Sequence, residues 1–144
     1  MKWNNTRGNK YGAHKVVYNG ITFASTRERD RYILLKDMEQ KGEISCLEMQ
    51  KCFETLPKIL RYETIQLKTK TKVVARVDES ATCYHADFVY QDNKTGKIVI
   101  EEVKSKATAK IRDYTLRRKL VKLMVMRMNA EEGKELYVFK EIIK

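Results

Sequence analysis

Ionisable residues interrupt a run of β-branched apolar residues: the segment IVIEEVKS contains Glu101, Glu102 and Lys104. A second run upstream, HADFVYQD, contains Asp87. The two runs flank residues 93–96, a short loop whose glycine suits a left-handed turn, so they predict a β-hairpin. The expected register places Asp87 opposite Glu102, and a slip by one residue would place it opposite Glu101 instead. In either register, two carboxylates meet across the strand pair.

Two carboxylates on directly opposed residues would repel each other, because their Cβ atoms lie about 5 Å apart. At ~4 Å and an effective dielectric constant of about 20, the cost is ~4 kcal/mol. A hard divalent cation such as Mg²⁺, Mn²⁺ or Ca²⁺ would remove this cost, since such ions prefer oxygen ligands. Lys104 would then lie beside the ion, where its amine could orient or deprotonate a water and offset charge on a phosphate. In the plainer alternative, Asp87 caps a strand and Glu102 pairs with Lys104 on a solvated face.

The clearest helix is predicted for residues 26–41, within STRERDRYILLKDMEQKGEIS. Ser25 suits the N-cap position, and Glu28 follows three residues later, which completes a capping box. The apolar residues of the buried face recur at helical spacing and include Tyr32, Leu35 and Met38.

Strands account for much of the remaining chain. A short hairpin turning at Asn19-Gly20 precedes the helix, and a strand over LEMQKCFETL, ended by Pro57, follows it. Residues 66–77 are predicted as one strand with a basic face that could follow a phosphate backbone or protect a sheet edge. That face holds Lys68, Lys70, Lys72 and Arg76.

A second helix is predicted for residues 108–128, and the segment ELYVFKEII is predicted as a final strand. The apolar stripe of this helix is expected to contain Leu116, Leu120, Leu123 and Met124. The whole order predicts an α/β or α+β fold, with a mixed β-sheet core flanked by helices.

The 144-residue chain has the composition of a folded protein, with 42% hydrophobic and 34% charged residues. We expect a flexible basic arm over residues 1–15 and a single domain over residues 16–144. Neither a membrane-spanning run nor the apolar region of a signal peptide is present in the sequence, which favours the cytoplasm. The three cysteines form no CxxC pair. They are expected to be buried free thiols rather than zinc ligands together with His85.

The formal net charge is +11, from 30 Lys and Arg residues against 19 Asp and Glu residues. Such an excess on a small domain favours a polyanionic partner. Basic residues are concentrated near the N-terminus and in residues 104–122, where Asp113 is the single acid. A solvated basic surface that aids solubility is the alternative interpretation.

At Asp87, Glu102 and Lys104, the sequence resembles the PD-(D/E)XK nuclease superfamily. More closely, it resembles a small phage and prophage family of endonuclease-like proteins within that superfamily. The matching stretches are NKYGAHKVVYNGITFASTRERDRYILLKDMEQKGEISCLEMQ, HADFVYQDNKTGKIVIEEVKS and the basic helix that follows, while residues 57–80 are unmatched. The resemblance implies a restriction-endonuclease-like fold. One departure is Ala86, which stands where the superfamily's name expects proline.

The resemblance implies that Asp87 and Glu102 bind Mg²⁺, for which Mn²⁺ can substitute, together with the main-chain carbonyl of Val103. It implies that Lys104 prepares the attacking water.

Glu28 matches an acid that many members contribute from the first helix, although the capping box alone would account for it. Gln50 is an accessory candidate near the site. The partner implied is DNA, cut by a structure-selective, phage-encoded endonuclease of the Holliday-junction resolvase kind, acting as a homodimer in the bacterial host cytoplasm.

The residues expected to contact the phosphate backbone are Arg7, Lys10, Lys15, Lys68, Lys70, Lys72, Arg117, Arg118 and Lys122. Two rival functions remain. One is a sequence-specific homing or restriction-type endonuclease, and the other is a non-catalytic basic nucleic-acid-binding module.

Overall fold

The computed structural model describes residues 14–144. The elements in chain order are β1 (Val16–Tyr18), β2 (Ile21–Phe23), α1 (Thr26–Gln40), β3 (Ile44–Leu56), β4 (Ile59–Gln66), β5 (Thr71–Glu79), β6 (Thr82–Asp92), β7 (Ile98–Lys104), a short 3-10 helix (Thr108–Lys110), α2 (Arg112–Glu132) and β8 (Tyr137–Ile143). The fold is α+β with a mixed sheet, as the sequence predicts.

The central sheet has the strand order β3-β6-β7-β8. β3 and β7 run antiparallel to β6, whereas β8 runs parallel to β7. Parallel neighbours need a crossover connection, and α2 provides it between β7 and β8. Two further pairs of strands form separate two-stranded sheets, β1 with β2 and β4 with β5.

The two helices bury different faces of the central sheet. Leu35 of α1 packs in one core cluster with Ile44, Phe88, Tyr90, Val99 and Val103. Val121, Met124 and Val125 of α2 pack in a second cluster with Tyr84, Ala86, Val89 and Ile100. Successive residues of β7 therefore point into different cores, which explains why Ile98, Val99 and Ile100 are all apolar.

The first helix begins as its sequence indicates. The backbone N–H of Glu28 donates to Ser25 Oγ at 3.2 Å, so Ser25 caps the helix. The helix ends at Gln40, and Gly42 adopts a positive φ of 72° just beyond it. The prediction of a helix over residues 26–41 is confirmed to within one residue. The Asn19-Gly20 hairpin and the strand ended by Pro57 are also confirmed, with that strand beginning at Ile44, three residues before the predicted segment.

The prediction of one strand over residues 66–77 is wrong, because the chain turns back on itself there. β4 and β5 form an antiparallel ribbon, whose turn is closed by the N–H of Leu67 donating to the carbonyl of Lys70 at 2.8 Å. Lys68 and Lys70 lie in this turn and Lys72 lies in β5, so the three lysines do not share one strand face.

The second helix also differs from its prediction. Ile111 is extended, which separates the 3-10 helix from α2, and α2 continues to Glu132. The side chains of Leu116 and Leu123 are 61% and 49% exposed, so the predicted apolar stripe is wrong at these two positions. The buried residues of α2 are Tyr114, Val121, Met124 and Val125.

The three cysteines, Cys46, Cys52 and Cys83, are exposed free thiols, so the expectation that they are buried is wrong. They lie on the outer strand β3 and at the start of β6, where one face of each strand has no covering helix. No helix within residues 14–144 is both long and apolar enough to cross a membrane.

Candidate active site

The hairpin of β6 and β7 has the register that places Asp87 in line with Glu102. Its paired residues run from Gln91 with Ile98 to Phe88 with Glu101, and the pairing stops there. The predicted register is therefore confirmed and the one-residue slip is not adopted. Beyond Phe88 the two strands no longer pair, and Asp87 and Glu102 follow immediately after the last pair.

The Asp87 carboxylate connects β6 to β7 at the point where the pairing ends. Its Oδ2 accepts a hydrogen bond from the backbone N–H of Val103 at 2.8 Å, and its Oδ1 accepts from Gln50 Nε2 at 3.2 Å. Gln50 has a positive φ of 51°, an uncommon conformation for a strand residue, in the part of β3 that lies across from Asp87. Local distortion of β3 therefore accompanies the contact between Gln50 and Asp87.

The Asp87 side chain is only 7% exposed. Burial raises its pKa to about 7, and the nearby carboxylates of Glu102 and Glu28 act in the same direction, against the Val103 hydrogen bond and the charge of Lys104. The repulsion predicted from the hairpin is therefore present: without a further cation, Asp87 is half protonated near neutral pH.

Glu102 is 3% exposed and binds two partners through its two oxygens. Lys104 Nζ lies 2.5 Å from Oε1, and the Tyr84 hydroxyl donates to Oε2 at 2.6 Å. The pKa of Tyr84 is raised by burial and by this carboxylate. The plainer sequence alternative, an ion pair on a solvated face, is thus half correct, since the pair exists but its carboxylate is buried.

Lys104 is held above an aromatic ring. Its Nζ lies 5.7 Å from the ring centroid of Tyr114 in α2, close enough for a cation–π interaction. The Tyr114 hydroxyl in turn donates to Glu141 Oε2 at 2.6 Å. α2 and β8 therefore fix the position of the amine that β7 supplies.

Glu28 approaches the site from the first turn of α1. Its Oε2 accepts from the backbone N–H of Ala24 at 3.3 Å, so it does contribute to the helix cap. Burial raises its pKa, which is further influenced by the charges of Lys104 and Glu102. Glu28 therefore both contributes to the helix cap and lies near the site.

Glu101 belongs to a different structure on the opposite face of β7. Arg31 of α1 donates to both of its oxygens, at 2.6 and 2.7 Å, and the Tyr90 hydroxyl donates to Oε2 at 2.9 Å. Both members of this ion pair are buried. The adjacent acids of the EE pair thus divide into a structural acid, Glu101, and a site acid, Glu102.

Sequence reasoning did not identify Tyr84, Tyr114 or Arg31. Tyr84 lies in the strand before β7 and Tyr114 in the helix after it, whereas Arg31 is distant in sequence, and no local spacing pointed to any of these contacts. The signals in the sequence were weak: a tyrosine near the start of β6, another near the start of α2, and an arginine four residues before Leu35 on the buried face of α1.

A cavity of about 310 Å³ opens beside Lys104. It is lined in part by Glu28, Val103, Lys104 and Thr108, and His14 lies at its edge. A larger cavity of about 900 Å³ lies near the loop between β6 and β7, between Met38 and Val138, and none of the candidate catalytic residues lines it. Of the candidate catalytic residues, Glu28 and Lys104 line the smaller cavity, whereas Asp87 and Glu102 do not.

The oxygen atoms of Asp87 and Glu102 suit a hard divalent cation, because both carboxylates are buried and the charge of Glu102 helps to raise the pKa of Asp87. Within residues 14–144, no group of three or more His, Cys, Asp or Glu side chains is arranged to hold a metal. A cation would therefore depend on these two carboxylates, with further oxygen ligands from the main chain, where the Val103 carbonyl is predicted, and from water. The zinc alternative built on the cysteines finds no support in the described residues.

The predicted phosphate-contacting residues are spread over several elements. Lys15, Arg117 and Lys122 are exposed, and Lys68, Lys70 and Lys72 lie at the end of the β4–β5 ribbon. The charge of Arg118 is already partly compensated, because its guanidinium lies 3.7 Å from Glu141 and over the ring of Tyr114. Arg7 and Lys10 lie outside the described residues.

Comparison with protein families gives one match. Residues 8–136 match a family described as "Protein of unknown function (DUF1064)". The chain belongs to this family. Since the match covers every candidate site residue from Glu28 to Lys104, the site is part of the region that defines DUF1064. No curated protein and no solved structure matches the chain.

Proposed function

We propose that this DUF1064 protein is a Mg²⁺-dependent endodeoxyribonuclease of the PD-(D/E)XK kind. The observation that carries the proposal is the proximity of Asp87, Glu102 and Lys104 at the point where β6 and β7 stop pairing. Two neighbouring buried carboxylates, one of them paired with a lysine that lines an open cavity, are poorly explained as a structural feature, since burial raises the pKa of Asp87 to about 7. A cation-binding hydrolytic site explains the same arrangement.

Asp87 and Glu102 would hold the Mg²⁺, which when bound supplies positive charge to the scissile phosphate and lowers the pKa of water. Mn²⁺ has the same preference for oxygen ligands and would substitute. Tyr84 would keep the Glu102 carboxylate in place through its hydroxyl, and Gln50 would do the same for Asp87.

Lys104 would orient the attacking water and offset the negative charge that develops on the phosphate oxygens. Tyr114 would hold the Lys104 amine in position through its ring. Glu28 would help to orient the water or complete the ligand set from the end of α1.

The partner would be DNA, bound through its phosphates by the basic residues named above and located in the cytoplasm of a bacterial host. Contacts of this type position a duplex without reading its sequence, which suits a structure-selective enzyme acting on branched DNA such as a Holliday junction. Paired cuts in such a substrate require two sites, and we therefore propose a homodimer.

A cleavage assay on branched and linear DNA, with and without Mg²⁺, tests the proposal. The wild-type protein is expected to cut only with Mg²⁺ or Mn²⁺, whereas Asp87→Asn and Glu102→Gln should still bind DNA but lose cleavage. Glu43→Gln, an exposed acid distant from the site, serves as the matched control and should cut normally. Wild-type protein that binds both substrates without cutting either would instead support the non-catalytic binding module.

A further inference from the structure

The β4–β5 ribbon is a two-stranded sheet with no third strand. β4 and β5 pair only with each other in the part of the chain that the structure describes. An isolated two-stranded ribbon is marginally stable in water, because it lacks a partner for its apolar side chains. This ribbon nevertheless carries many apolar side chains, which indicates that one of its faces is covered when the protein functions.

The two faces of the ribbon differ in charge. Paired residues on one face are uncharged along its whole length: Leu60 with Val77, Tyr62 with Ala75, Thr64 with Val73 and Gln66 with Thr71. Tyr62, Val73 and Val77 on this face are 71%, 63% and 54% exposed. The other face carries Arg61, Arg76 and Lys72, with Glu63 bridging the two arginines at 3.3 and 3.6 Å.

We infer that the uncharged face of the ribbon packs against the same face of a second copy of this chain. Nucleic acid is a poor occupant for it, since phosphate binding requires cationic side chains and these lie on the opposite face. A second copy fits, because a two-fold axis would place apolar residues against identical apolar residues. Two chains of net charge +11 repel each other, so their contact is best made where neither carries charge.

The size of the face predicts a weak dimer. Eight residues at ~3.3 Å each give a length of about 26 Å, and the two strands then offer roughly 300 to 400 Å² per copy. Stable interfaces bury about 800 Å² per partner. We therefore expect association that depends on protein concentration, with Tyr62 as the main anchor, since exposed aromatic residues often dominate interface energetics.

This arrangement would leave both charged faces and both lysine-bearing turns pointing away from the contact. Only this consequence rests on the proposed nuclease function: a dimer would hold two sites on one DNA molecule and allow paired cuts. The association itself is independent of catalysis and can be measured without DNA or Mg²⁺.

Sedimentation of the full chain over roughly a hundredfold range of concentration tests the inference. The average mass of the wild type should rise from the monomer mass of 17.0 kDa towards twice that value. Tyr62→Lys and Val73→Lys should remain monomeric throughout. Val74→Lys is the matched control, because Val74 is the neighbouring valine on the charged face, and it should associate like the wild type.

Circular dichroism of each variant establishes that it is folded before its mass is interpreted. Wild-type protein that stays monomeric at every concentration would overturn the inference. An equal loss of association in Val73→Lys and Val74→Lys would also overturn it, since edge-to-edge pairing of ribbons does not distinguish the two faces. Wild-type protein that associates but does not cut DNA would count against the nuclease proposal alone.

Discussion

Asp87 has a strongly raised pKa, because its carboxylate is buried beside a second carboxylate. Its pKa of about 7 means that the folded state retains a proton that the unfolded chain releases near pH 4. Folding therefore takes up a proton between about pH 4 and pH 7. The free energy of unfolding should fall as the pH rises through this window and stay low above it.

Asp87→Asn tests this titration in metal-free buffer. The asparagine cannot ionise, so the variant should gain stability relative to the wild type as the pH rises from 5 to 8, by an amount on the order of a few kcal/mol. Thermal melts of both proteins across this range provide the measurement. A difference in melting temperature that is constant with pH would show that Asp87 titrates in its ordinary range. Added Mg²⁺ should reduce the difference by stabilising the ionised wild-type site.

Residue types and spacing were enough to identify the candidate acids and the lysine, because a short hairpin loop fixes which residues face each other. They could not show that Tyr84 and Tyr114 support Glu102 and Lys104, since both contacts depend on tertiary packing. Strand alternation put Glu101 and Glu102 on opposite faces of β7, but it left open which of them faces Asp87, and it did not point to the arginine that neutralises Glu101.

At the scale of elements, the buried ion pair between Arg31 and Glu101 connects α1 to the central sheet. Removing one partner leaves the other charge buried without compensation, and such changes usually cost about 3 to 5 kcal/mol. Arg31→Ala should therefore lower the free energy of unfolding by roughly this amount in urea denaturation. Arg27→Ala, an exposed arginine in the same helix, should change it by less than about 0.5 kcal/mol.

The contrary result would be similar stability for both arginine variants, which would mean that water screens the ion pair in solution. A double variant, Arg31→Met with Glu101→Leu, should recover much of the stability, because it removes both charges and keeps the volume. This recovery separates the cost of a stranded charge from a general loss of packing.

Element boundaries were predictable where turn chemistry was explicit, as at Asn19-Gly20 and in the loop before Gly96. The turn between β4 and β5 is made by Leu-Lys-Thr-Lys, residues 67–70, which contain none of Gly, Pro, Asn or Asp. Alternating lysines across that turn imitate a single strand, so the pattern predicted one strand where there are two. The rotation of α2 was missed for a different reason, since apolar residues occupy both sides of that helix.

At the scale of the whole molecule, the net charge of +11 should make DNA binding strongly dependent on salt. Each phosphate contact adds about −0.9 to the slope of log affinity against log salt concentration. Lys122→Ala should make this slope shallower by about 1. Lys94→Ala, in the loop at the far end of β6 and β7, is the control and should leave it unchanged. Equal slopes for the wild type and Lys122→Ala would exclude Lys122 from the interface.

The most direct test of the account is the rate of Mg²⁺-dependent DNA cleavage by Lys104→Ala, compared with Lys106→Ala, an exposed lysine two residues further along. Lys104→Ala should retain DNA binding while its single-turnover cleavage rate falls roughly 10²- to 10³-fold, because the charge beside the scissile phosphate is lost. Lys106→Ala should cut at nearly the wild-type rate. Cleavage by Lys104→Ala at the wild-type rate would contradict the assignment of Asp87, Glu102 and Lys104 as one hydrolytic site.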